Sequence, residues 1–349
     1  MPQMTGHVAE TFRYQANACR SLGSPFTAML CELLAEHLDE SSRFGERILN
    51  WPETAKPDAL ALRACGALHS LARSGRAREL ATLYPPSEAK PEALWEAIAG
   101  AIAKHDDFLH DFLDSPPQTN EVARSSALLG MMLGVAERFP QPLSVYEIGA
   151  SAGLNLAFDR YHYVLGEDRE WGDPNAIVHI ESEWRGVIPP LEAPLDVARR
   201  QGCDRNPLDP RDPQATERLL AYVWADQQTR LARLSGALSA AARMDYSVEK
   251  ADAADWVEAR LAEPAEPGIT RVFFHTIVWQ YLPERTKDRI RNALTAAGTE
   301  ATEETPLVWM QMESENHPGG ALLRRTVWPG GEIEVLGLAD YHGRWVDWA

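Results

Sequence analysis

Residues 144–161 read SVYEIGASAGLNLAFDRY, and the fold turns on how this stretch is parsed. A short apolar run, Val145-Tyr146-Glu147-Ile148, meets Gly149-Ala150-Ser151-Ala152-Gly153, and Leu154, Leu156, Ala157, Phe158 and Tyr161 then follow at helical spacing. Strand, small-residue turn and helix in that order are what a nucleotide-binding crossover needs. A tight turn exposes the helix N-terminus, whose free N–H groups and dipole favour a negative or oxygen-rich ligand. Glycine permits positive φ or close backbone approach, and alanine keeps the surface low. The plainer alternative is a small-residue turn that lets a helix pack on a strand.

The spacing is E-x-G-x-S-x-G, with Ser151 where the commoner pattern has its middle glycine. A dinucleotide fingerprint reads G-x-G-x-x-G and wants an acid about 20 residues further on. Neither the P-loop lysine nor its serine follows, so phosphate transfer from ATP is poorly supported. Ser151 sits in A-S-A, which lacks the G-x-S-x-G surroundings of a hydrolase nucleophile elbow.

The chain has 349 residues, enough for one large domain or two smaller ones. It carries 34 Lys plus Arg against 51 Asp plus Glu, a formal charge of -17, which opposes an extended nucleic-acid surface. The four cysteines, Cys19, Cys31, Cys65 and Cys203, include no CxxC pair, so free buried thiols are expected rather than a disulfide scaffold or thiolate zinc site. The opening residues show no basic region followed by an apolar stretch, and no apolar run approaches the roughly 18 residues of a membrane span. The expectation is a soluble cytoplasmic protein.

Residues 1–117 read as a helical domain, and 118–349 as an α/β domain. Apolar residues at three- and four-residue spacing predict helices over 8–19, 25–38, 59–72, 91–113 and 121–139. Ser24-Pro25 offers a cap and first-turn proline, and the prolines at 85–86 and 116–117 mark joints. At the last of these starts, Thr119 or Asn120 is placed to cap, and Glu121 and Arg124 lie on one side of the first turn. They form either a solvated ion pair or a polar cluster beside a ligand crevice.

Beyond the central motif, residues 161–188 read as an inserted hairpin, and the second core strand is placed at 195–199. Asp204 in the following loop then takes the position that binds ribose hydroxyls in many nucleotide-binding sheets. A helical pattern over 215–242 leads to a third strand at 246–250, which ends at Asp252-Ala253, and Asp255 is available to cap the next helix. The apolar run from Arg271 places His275 and Trp279 at the carboxyl edge of the sheet, where open α/β folds hold substrates. Strands at 307–312, 322–328 and 333–338 close the pattern, the last two joined by Pro329-Gly330-Gly331.

Segments along nearly the whole chain resemble DUF2332, a bacterial family of unknown function. They are FRYQANACRSLGSPF (12–26), QTNEVARSSALL (118–129), the central motif, RRQGCDRNPLDP (199–210), YVWADQ (222–227), FFHTIVWQYLP (273–283), TVWPGG (326–331) and HGRWVDW (342–348). The acid two residues before the first glycine, and the strand ending in Asp-Ala, resemble class I methyltransferases that bind S-adenosylmethionine (SAM). That resemblance implies a Rossmann-like seven-stranded sheet with the helical domain in front. It implies that Glu147, Gly149, Ser151, Gly153 and Asn155 face the methionine and ribose side of SAM, Asp204 the ribose, and Asp252 with Ala253 the adenine.

Methyl transfer needs alignment, exclusion of water and, for some acceptors, removal of a proton. The first candidate base is His275, since imidazole titrates near neutrality. Asn120, Glu121, Arg124 and Trp279 are candidates for orienting a small-molecule acceptor. No metal is expected: HExxH is absent, and His162, His179, His275, His317 and His342 show no ligand spacing. Two further readings stay open: a SAM- or nucleotide-binding regulator or scaffold without catalysis, and an NAD-dependent oxidoreductase.

Overall fold

A computed structural model describes residues 6–118, 120–315 and 317–349 of the chain. The chain divides into two compact units, the first holding residues up to 118 together with 212–232, the second residues 120–211 and 233–349. Among the described residues no helix is long and apolar enough to cross a membrane.

The first unit is helical: α1 (Gly6–Ser21), α2 (Pro25–His37), α3 (Arg43–Leu49), α4 (Leu60–Arg73), α5 (Arg78–Ala81), α6 (Pro91–Phe112) and the helix Pro213–Ala221. Phe12, Leu30, Leu34, Phe44, Leu68 and Ile98 are fully enclosed in its core, as their spacing requires. Ser24 does not cap α2 with its own side chain. The α2 N-terminus is held instead by Asp226, whose Oδ2 accepts from Phe26 N–H at 2.8 Å and whose Oδ1 accepts from the Ser24 hydroxyl. A carboxylate serves an orphan N–H and the helix dipole better than a neutral hydroxyl does.

The second unit opens with a 3₁₀ turn, Val122–Arg124, and α7 (Ser125–Arg138). Its cap is Glu121, which accepts from Ala123 N–H at 3.3 Å. Asn120, expected as a cap here, is committed elsewhere, and Thr119 lies outside the described residues. The strands follow as β1 (Leu143–Ile148), β2 (His162–Leu165), β3 (Arg169–Trp171), β4 (His179–Gly186), β5 (Val197–Asp204), β6 (Ser247–Lys250), β7 (Thr270–Thr276), β8 (Leu307–Glu313), β9 (Ala321–Trp328), β10 (Glu332–Ala339) and β11 (Trp345–Trp348). The helix Pro213–Ala221 is α8; α9 (Gln228–Ala241), α10 (Ala253–Ala262) and α11 (Glu284–Thr299) complete the set. The pattern expected as one helix over 215–242 is therefore broken, by residues 222–227.

The strands form one sheet in the order β3-β2-β4-β11-β10-β9-β8-β7-β1-β5-β6. The run β6-β5-β1-β7-β8 is parallel, with β1 the first strand in sequence and β7 beside it, so the chain reverses its direction of travel between them. That reversal makes the carboxyl ends of β1 and β7 the topological switch point. The sheet has eleven strands, not seven. The insertion at 161–188 does not stand apart as a hairpin: β4 pairs in parallel with the C-terminal strand β11, and β2 and β3 continue outward from it. Trp184 and Trp348 stack at 5.4 Å across that junction, above Gly130 of α7, where a Cβ would lie 2.8 Å from the Trp184 ring.

Two local expectations need correction. The second core strand runs past 199, its expected end, and finishes at Asp204 itself, because Glu147 pairs with Gly202 and Ile148 with Cys203. Gly202 is required there, since a Cβ would meet the Ala150 Cβ at 2.7 Å. The segment after Gly153 is a 3₁₀ helix, Leu154–Arg160, rather than an α-helix. Side chains take carbonyls that an α-helix would use: the Tyr161 hydroxyl donates to Leu154 O at 2.7 Å, and Arg200 donates to Leu156 O at 3.1 Å.

Candidate site at the carboxyl edge of the parallel strands

Residues alternate across a strand, so the register sorts the site residues by face. Tyr146 stacks on Phe273 at 4.6 Å, and Trp256 of α10 lies against Tyr146, so this is the face covered by α10 and α11. His275 and Glu313 share the parity of Phe273 and Trp309, and belong to that face. Glu147 belongs to the opposite one, with Phe274 as its register partner. Two polar clusters therefore sit on opposite faces of the sheet and approach each other at its carboxyl edge.

The first cluster is built on the loop after β1. Gly149 and Gly153 have φ of 72° and 71°, and Ser151, with no such freedom, has 54°. Each backbone N–H from Gly149 to Leu154 donates within the protein. Gly149 and Ala150 donate to Cys203 O, Ser151 to Asp204 Oδ2 at 2.9 Å, and Gly153 to Ala150 O. Asn120 Oδ1 takes both Ala152 N–H and Leu154 N–H at 3.2 Å. The glycines are covered by protein side chains: a Cβ at Gly149 would lie 2.5 Å from Val278 Cγ2, and one at Gly153 would lie 2.5 Å from the Tyr246 ring. Tyr246 also donates its hydroxyl to Ala152 O at 2.7 Å.

Beneath this loop Glu147, 2% exposed, accepts from Asn155 Nδ2 at 3.2 Å. Burial pushes its carboxyl up to about 8, the Asn155 contact opposing and the Asp204 charge adding to the shift. Glu147 Oε2, Asn155 Oδ1 and Ser151 Oγ are buried without a hydrogen-bond partner among the described residues. Such atoms are rare in folded proteins and mark places where a water or ligand donor belongs. Glu121, also enclosed, lies 3.7 Å from Arg233 Nη1 and 3.5 Å from His342 Nδ1, and Arg124 Nε donates to Tyr341 O at 2.8 Å. The loop before β11 thus reaches both the enclosed Glu121 and the half-buried Arg124.

In the second cluster Glu313 Oε1 stands 2.6 Å from His275 Nδ1 and accepts Val278 N–H at 3.1 Å. His275 is fully enclosed, with Trp279 stacked on its ring at 4.8 Å and Trp309 at 5.9 Å. Its Nε2 and Glu313 Oε2 are buried and unpartnered among the described residues.

The remaining candidates are more dispersed. Asp204 closes on backbone, through Ser151 N–H and Asn206 N–H at 2.8 Å. Asp252 is exposed and is the cap of α10, accepting from Ala254 N–H and Asp255 N–H, so Asp255 is not the cap. Asp255 instead pairs with Arg289. Ala253 is buried in the α10 first turn. Sequence reading missed Glu313, Tyr246, Arg233 and His342. Only Glu313 carried a signal, an acid ending a buried strand one neighbour along from His275; the other three reach the site through tertiary contacts.

A search of curated proteins returns no match to the chain. The sequence profile of a bacterial family, described as an uncharacterized protein conserved in bacteria (DUF2332), matches residues 9–348. With nearly its whole length matched, and with both polar clusters inside the matched region, the chain belongs to the DUF2332 family.

Proposed function

We propose that the protein is a SAM-dependent methyltransferase acting on a small molecule, with the donor bound across the carboxyl edge between β1 and β7. One observation carries this reading: the loop after β1 has consumed its own N–H groups, yet leaves the oxygens Glu147 Oε2, Asn155 Oδ1 and Ser151 Oγ buried and unpartnered among the described residues, acceptors once Glu147 is ionised. A pyrophosphate is recognised by free N–H groups at such a turn. A ligand with cationic donors and no phosphate is recognised by acceptors instead. SAM is of that kind, and NAD is not, so the oxidoreductase reading loses support.

Glu147, Asn155 and Ser151 would meet the ligand's ammonium end, and Asp204, which has lone pairs beyond the two N–H groups it accepts, would take hydroxyls. SAM, when bound, supplies an electrophilic methyl group. The residues of the protein orient the reactants, exclude water and manage the proton. The parallel order β6-β5-β1-β7-β8, with antiparallel β9 and then β10 next, supports a methyltransferase-type sheet extended by β11, β4, β2 and β3.

Calorimetry with SAM, S-adenosylhomocysteine and NAD on the full chain tests the reading. A cation favours ionised Glu147, so SAM affinity should rise as pH approaches 8 and level off above it. In Glu147→Gln that rise should vanish. Heat with NAD and none with SAM or its product would transfer the site to a dinucleotide; silence from all three at millimolar ligand would remove it.

A further inference from the structure

Glu313 is the residue that holds His275, and its own chemistry fixes how. As a carboxylate it only accepts hydrogen bonds, and its Oε1 already accepts Val278 N–H at 3.1 Å. The proton in the 2.6 Å contact with His275 therefore belongs to Nδ1 of the imidazole. In the neutral ring that leaves Nε2 bare, as an acceptor. Nε2 is buried and unpartnered among the described residues, and the imidazole itself is fully enclosed.

The backbone supports the same arrangement independently. Ile277, β-branched, has a φ of 53°, a conformation that such residues rarely adopt. The turn it makes aims Val278 N–H at Glu313 Oε1 and sets the Val278 side chain on Gly149 of the other cluster. A strained residue between a strand end and a polar pair is the kind of outlier that tends to occur at functional sites. Ring contacts complete the enclosure, since Trp279 covers one face of His275 and Trp309 is tilted against it.

We infer that Glu313 is a positioning residue that locks His275 in its Nδ1–H tautomer, so that Nε2 receives a proton from the hydroxyl or amine of the small-molecule acceptor. The step balances simply: the acceptor's O–H or N–H bond breaks, its electron pair stays on the oxygen or nitrogen, and the proton bonds to Nε2, making an imidazolium that Glu313 stabilises. This narrows the acceptor to molecules that must lose a proton on reaction, and it rests on the proposed methyltransferase reading. The two faces then have separate tasks, with the donor on the Glu147 side and the proton acceptor on the His275 side.

The test is the long-range nitrogen–proton spectrum of the full chain labelled with ¹⁵N-histidine, with His275→Gln used to identify the signal among the ten histidines. The wild-type ring should show a protonated Nδ1 and a bare Nε2. Glu313→Gln, whose amide oxygen can still accept, should keep that pattern, and Glu313→Leu should lose it. A wild-type ring protonated at Nε2, or an unchanged ring in Glu313→Leu, overturns the inference. Calorimetric binding of S-adenosylhomocysteine alongside either of those results would spare the cofactor reading. Absence of binding heat overturns the cofactor reading and removes the proton-acceptor role with it, whatever the tautomer.

Discussion

Asn120 caps Leu154 across 34 residues of chain: its Oδ1 accepts that residue's N–H, and Ala152 N–H as well, both at 3.2 Å. One buried amide thus closes the turn after β1 from a neighbouring segment. Removing it in Asn120→Ala leaves two enclosed donors without an acceptor. The expected cost is about 1–3 kcal/mol in urea unfolding. Asn120→Asp, which keeps an acceptor, should lose less at low pH than at high pH, where its charge faces Glu147 and Asp204. Equal stability of the alanine variant and the wild type would mean that water satisfies both N–H groups.

Glu147 makes stability depend on pH in a definite direction. Its pKa rises from an ordinary 4.5 to about 8 on folding, so the folded chain holds the proton more tightly than the unfolded chain does. The contribution is complete below about 4.5 and is lost as pH rises through 8. Within that window the loss approaches about 1.4 kcal/mol per pH unit. Glu147→Gln cannot titrate, so it should flatten this slope and exceed the wild type in stability above pH 8. Parallel stability–pH curves for the two proteins would show that Glu147 is ionised at neutrality.

Tyr246 fills the space that Gly153 leaves open. Gly153→Ala meets both a φ of 71° and a ring atom 2.5 Å from the new methyl group, so a loss of about 1–3 kcal/mol is expected. Tyr246→Phe should cost about 1 kcal/mol for the hydroxyl bond to Ala152 O alone. The informative measurement is Gly153→Ala in a Tyr246→Ala background, where the clash with the ring should disappear and the φ strain remain, together with a contact to Val248 Cγ2 at 3.0 Å. Strict additivity of the two would place the conflict somewhere other than the ring.

Asp226 governs the start of α2 in the helical unit, through Phe26 N–H and the Ser24 hydroxyl. Asp226→Ala should destabilise by about 1–2 kcal/mol, whereas Ser24→Ala, which removes only a donor to that carboxylate, should cost less. Thermal unfolding of both variants checks the order. The reverse order would return the cap to Ser24.

What could be read from the chain alone followed from patterns that repeat locally. Helical spacing located α1, α2, α4 and α6 to within a few residues, because an amphipathic helix writes its buried face into the sequence, whereas the short α3 and α5 left no such pattern. The strand–turn–helix order at 144–161 and the buried run from Arg271 were legible for the same reason, and so were the edge positions of Glu147 and His275. Tertiary structure decided what no local pattern encodes. It decided that β11 would join β4 and carry the insertion into one eleven-stranded sheet, since pairing of strands far apart in sequence leaves no periodic mark. It decided that Leu154–Arg160 would wind as a 3₁₀ helix, because its carbonyls meet Tyr161 and Arg200. It also decided the partners of the site: Asn120 for Leu154, Tyr246 for Gly153, Glu313 for His275. A buried polar group must find a partner wherever the fold brings one, and that choice is made in space rather than along the chain.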